Sequence, residues 1–115
     1  MAHVVKDALA VAEQRFPQRL EMLKGLARIP SVSAKGFDPK EVRRSAEAVA
    51  AACTSMGLEH ATVLDLPGHP DAHPAVYADW LHAPGKPTLL LYAHHDVQPP
   101  GREKLWQSPP WEPTE

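Results

Sequence analysis

An α/β fold, with N-terminal helices packed on a mixed β-sheet, is what this sequence should form, and three features say so. Apolar residues in the first half recur at spacings of three and four, which marks helix faces. The second half is cut into short pieces by proline: ten of the thirteen prolines lie between Pro67 and Pro113. Within that half, Leu89, Leu90, Leu91, Tyr92 and Ala93 form an apolar run unbroken by charge, which suits a strand buried on both faces of a sheet.

Taken in order, Val5, Leu9, Ala12 and Phe16 place a helix over His3 to Arg15. Pro17 removes a backbone donor, so the helix should either break at Phe16 or restart from Pro17 and run to Arg28, with Leu20, Leu23 and Ala27 facing inward. Pro30 ends it, and Ser31 to Phe37 is a loop. Ser31 and Ser33 read as turn or capping residues, since no strand-turn-helix elbow surrounds them. The next helix is capped by Asp38, takes Pro39 in its first turn, runs to about Met56 and stops at Gly57. Val42, Ala46, Val49, Cys53 and Met56 share its apolar face, so Cys53 reads as a small buried hydrophobe.

Leu58 to Leu66 and Ala75 to His82 read as strands. The link GHPDAHP is short enough to make them antiparallel neighbours. It carries His69, Asp71 and His73 at spacings of two, a pattern able to chelate; Pro67, Pro70 and Pro74 argue for a solvated turn instead. The third strand is Thr88 to Ala93. Trp106 and Trp111, in a tail with no regular period, are expected to anchor that tail over the sheet.

Chemistry concentrates where the third strand ends, at His94, His95 and Asp96. Open α/β sheets place their sites just beyond the carboxyl edge of a strand. Side chains of an extended segment alternate, so His94 and Asp96 should share one face and His95 the other. A neutral imidazole is a common zinc ligand, and a ligating His usually donates its second ring N–H to a carboxylate. His-x-Asp on one face can supply both parts.

At 115 residues the chain is sized for one domain, residues 1–115. A net charge of −2 and a pI near 6.4 offer no basic field for nucleic acid or an anionic membrane surface. No stretch is long and apolar enough to cross a bilayer, and the charged N-terminus does not read as a signal peptide. One cysteine excludes an internal disulfide framework. A cytoplasmic location is expected.

The order of five segments goes further. Ile29 to Ser33 (IPSVS), the amphipathic helix, His73 to Trp80 (HPAVYADW), LLLYAHHDVQPP and Leu105 to Pro113 (LWQSPPWEP) together resemble the opening of the metal-dependent dipeptidases related to carnosinase. These belong to the superfamily of carboxypeptidase G, succinyl-diaminopimelate desuccinylase and aminoacylase. The resemblance implies the first part of a zinc-peptidase-like catalytic domain. It makes His94 a ligand to one of two divalent metals, usually Zn²⁺ with Mn²⁺ or Co²⁺ as alternatives, and Asp96 the carboxylate that holds its imidazole. Ala93 departs from the family's usual glycine and His95 from its frequent tyrosine. The implied substrate is a dipeptide or small peptide, and the implied assembly a homodimer through a lid domain. The bridging carboxylate, the general base and the other ligands are expected beyond Glu115, so the 115 residues alone should be inactive. A noncatalytic binding domain or an inactive truncated product on the same scaffold is the competing expectation.

Overall fold

The computed structural model describes residues 2–115, in the order α1 (Ala2–Ala27), α2 (Pro39–Ser55), β1 (Glu59–Leu64), β2 (Ala75–Asp79) and a short 3₁₀ turn at Glu103–Leu105. The α/β class holds. The most fully determined element is α2. Asp38 sits in extended backbone before it, and its carboxylate accepts from the Lys40 N–H at 2.9 Å, satisfying one of the donors that a helix start leaves free. At the other end the Gly57 N–H reaches the Thr54 carbonyl and the Leu58 N–H the Cys53 carbonyl, both at 3.0 Å. This is the Schellman closure, and it requires the left-handed φ of +88° that Gly57 supplies. Val42, Ser45 and Ala46 form the buried face of α2, while Cys53 is half-buried and unpaired.

Helix α1 is continuous where a break or restart was expected: Pro17 lies inside it. Proline's ring disturbs the preceding turn and its nitrogen cannot bond the Glu13 carbonyl, but α1 is mostly exposed, so water can satisfy that carbonyl. Phe16 and Leu23 remain about 60% exposed. Among the described residues α1 packs on α2 and not on the sheet, which corrects the expectation that both helical segments cover it. One polar tie reaches the end of α2, the Arg19 guanidinium on Met56 Sδ at 3.2 Å, while the Lys24 ammonium sits between Glu21 and Glu115 of the C-terminal tail.

The two strands pair antiparallel, as the short link requires, with Thr62 opposite Tyr77, Val63 opposite Val76 and Leu64 opposite Ala75. Glu59 pairs with Asp79, so β1 carries one residue more than β2 between this pair and the Thr62–Tyr77 pair. That is a bulge. Helix α2 packs against both strands.

The third expected strand is the main correction. Thr88 to Ala93 takes up no regular secondary structure, and among the described residues it pairs with nothing; the sheet is two-stranded and antiparallel rather than mixed. Leu89, Leu90, Leu91 and Tyr92 are 80–91% exposed. Apolarity favours burial, but a strand also needs a neighbour to take its backbone groups, and none is within reach. Further on, Val97 forms an isolated parallel bridge with Val32. The core is correspondingly small: Ile29, Val32, Val42 and Ala46, with the buried hydroxyls of Ser31 and Ser45. A radius of gyration of 17.1 Å, against about 13 Å for a compact domain of this length, shows how much surface stays open. Among the described residues no helix is long and apolar enough to cross a membrane.

Candidate metal-binding site

Three pieces of chain converge on His94, His95 and Asp96: the loop Ile29 to Ser33, the middle of α2, and the residue before β2. The loop turns tightly after α1, with the Ser31 N–H bonded to the Ile29 carbonyl and the Val32 N–H to the Pro30 carbonyl, both at 2.8 Å. This presents the Ser31 carbonyl to the Val97 N–H at 3.0 Å and the Ser31 hydroxyl to the His95 carbonyl at 3.0 Å. Ser45, one side of α2's buried face, donates to the same carbonyl at 3.0 Å.

The His95 side chain is consumed by this packing. Its Nε2–H donates to the Pro74 carbonyl at 3.1 Å, and Nδ1 lies 3.2 Å from Ser45 Oγ. It is half-buried and ties the loop, α2 and the start of β2 together. His94 turns the other way and is 75% exposed. Its Nδ1–H donates to the Asp96 carbonyl at 2.9 Å and to Asp96 Oδ1 at 3.2 Å. Because both partners are acceptors, Nδ1 carries the proton and the lone pair belongs to Nε2, which makes no hydrogen bond among the described residues.

Asp96 is held from its other side as well. The Ser33 hydroxyl donates to Oδ2 at 2.6 Å. That bond holds the Asp96 carboxyl below the ordinary carboxylate range against the opposing effect of partial burial, with its own backbone N–H and His94 helping. The carboxylate therefore stays ionised, and ionised it accepts from two directions while fixing the His94 ring. Ser33 was expected only to turn or cap the chain; its partner is 63 residues away, and the sole hint was its place in the IPSVS segment. His73 also departs from the chelating pattern of its loop. Its Nε2–H donates to the Ser33 carbonyl at 3.0 Å, and among the described residues His69, Asp71 and His73 form no group of metal-binding size.

These residues fit one ligand position of a zinc site and the carboxylate behind it. A catalytic zinc generally takes three protein ligands, and among the described residues His94 belongs to no group of three such donors. Trp106 is half exposed and donates from Nε1 to the Pro100 carbonyl at 2.9 Å, so it braces its own tail and not the sheet.

The fold has a solved counterpart. The chain is similar to part of Dug1p, described as a di-peptidase of Saccharomyces cerevisiae, with a TM-score of 0.81 and 24% identity over 97% of this chain. It spans 25% of the length of that structure's chain. No protein-family model matches the sequence, and no curated protein does.

Proposed function

We propose that this chain is the N-terminal portion of the catalytic domain of a metal-dependent dipeptidase, akin to the carnosinase-related enzymes its sequence resembles. The observation that carries the reading is the pair His94–Asp96: an exposed imidazole with Nδ1–H bonded to an ionised carboxylate and Nε2 free, on a scaffold shared with a di-peptidase. His94 is the ligand. Asp96 fixes its tautomer and raises its basicity, and Ser33 fixes Asp96. A zinc ion held there in a completed site supplies a Lewis acid that lowers the pKa of bound water. The remaining ligands and the general base lie on chain outside these residues. A dipeptide substrate, a cytoplasmic location and a homodimer formed through a lid domain belong to the same proposal.

The test is made in the longer enzyme. His94→Ala should remove one metal and nearly all dipeptide hydrolysis. Asp96→Ala should keep the fold but weaken metal affinity or activity roughly 10- to 100-fold, the usual scale for a residue that orients a ligand. His95→Ala should act through stability, because its imidazole is spent on Pro74 and Ser45. Metal content and turnover of the three variants decide the matter: a His94→Ala enzyme that keeps both its metals would overturn the reading. The 115-residue chain by itself should hydrolyse no dipeptide.

A further inference from the structure

At the opposite end of the β1–β2 hairpin, side chains converge in a way the reading above does not use. His95 touches Pro74, at the start of β2; Asp79 ends β2 five residues later, roughly 16 Å away at about 3.3 Å per residue. Around Asp79 lie Glu59, its direct cross-strand partner, and His60, and one ligand atom from each falls within 4.8 Å of the others. His60 Nδ1 lies 2.9 and 3.0 Å from the two Asp79 oxygens. His82, just past β2, places Nε2 2.9 Å from Glu59 Oε1. The Tyr77 hydroxyl donates to Asp79 Oδ2 at 2.8 Å.

We propose that Glu59, His60 and Asp79, joined by His82, form a Zn²⁺-class metal site separate from His94. Two carboxylates directly opposite each other on paired strands repel, and a divalent cation between them removes that repulsion while neutral imidazoles complete the shell. An imidazole and two carboxylates within 4.8 Å of one another, with the His82 imidazole beside Glu59, suit zinc and its borderline neighbours better than magnesium or calcium. Tyr77 supplies the orienting hydrogen bond that ligating carboxylates commonly have. The backbone contributes too. His60 has φ +53°, the non-glycine residue held in the left-handed region among the described residues; the bulge in β1 places it there.

The experiment is a Zn²⁺ titration of the 115-residue chain followed by imidazole ¹⁵N and ¹H resonances and by thermal melting. His60 and His82 should shift together and saturate at one equivalent, with a rise in Tm. His94→Ala should change neither result. His60→Gly is the decisive variant, because glycine adopts the left-handed backbone without strain; it should fold at least as well as the parent while losing the zinc-induced rise in Tm and the His82 shift. Asp79→Asn should weaken both responses. The inference is overturned if zinc leaves the His60 and His82 resonances unmoved, or if His60→Gly retains the parent's stoichiometry and Tm rise.

Discussion

Two residues separate two stretches of one segment that meet opposite fates. Leu89 to Tyr92, the most apolar run in the chain, lies 80–91% exposed, whereas the polar His95 and Asp96 just after it are half-buried and pinned. The difference is partnership. The His95 carbonyl receives two serine hydroxyls, its ring meets Pro74 and Ser45, and the Val97 N–H finds the Ser31 carbonyl; the leucines have neither a neighbouring strand nor a facing layer. Apolarity alone does not secure burial among these residues; a side chain also needs a neighbour to pack against.

The comparison breaks most readily at the pinned end. Val32, 1% exposed, bridges Val97 and centres a core of few side chains. Val32→Asp leaves an unpaired charge there at a cost on the order of 3–5 kcal/mol, so the variant should lose its cooperative melting transition by circular dichroism. Ser45→Ala is milder. It removes one of two donors to the His95 carbonyl and the contact with its ring, costing about 1–3 kcal/mol. Amide exchange at Val97 should accelerate in this variant while α1 is unaffected.

Ser33→Ala sharpens the comparison at the His94–Asp96 pair. The Ser33 hydroxyl holds Asp96 below its ordinary pKa. A carboxyl depressed in the folded state contributes stability above its unfolded value, about 3.9, and loses it as pH falls through the folded value. The deficit of Ser33→Ala should therefore be at most about 1 kcal/mol at pH 7 and should vanish at strongly acid pH. A deficit that persists there would mean that Ser33 acts through packing and not through Asp96.

How much was legible follows from how local each signal is. Helix α2 could be read down to both caps, since Asp38, Pro39 and Gly57 act within a few residues of the ends they set. The antiparallel pairing followed from the shortness of one link. The shared face of His94 and Asp96 followed from a period of two, and the pair does meet through Nδ1 and Oδ1. Ser33 was opaque because its bond to Asp96 spans 63 residues. His60 was opaque for another reason: a bulge that holds a non-glycine residue at positive φ leaves no pattern in the sequence, yet it brings His60 onto Asp79. Pro17 misled through a rule stated for packed helices, where a lost hydrogen bond stays lost.

The smallest expected effect tests the exposed end. Leu90 is 88% exposed, so its side chain has little surface to return to water when it is removed. Leu90→Ser should shift folding stability by no more than ~0.5 kcal/mol, the usual range for surface substitutions, although the same change in a buried strand would cost several times that. Its consequence should appear between molecules. An exposed apolar segment with unpaired backbone groups can pair with another chain, so sedimentation should show less self-association for Leu90→Ser than for the parent at equal concentration. A Tm lowered by many degrees would instead mean that Leu90 is packed in solution, and the contrast between the two halves of this segment would fall.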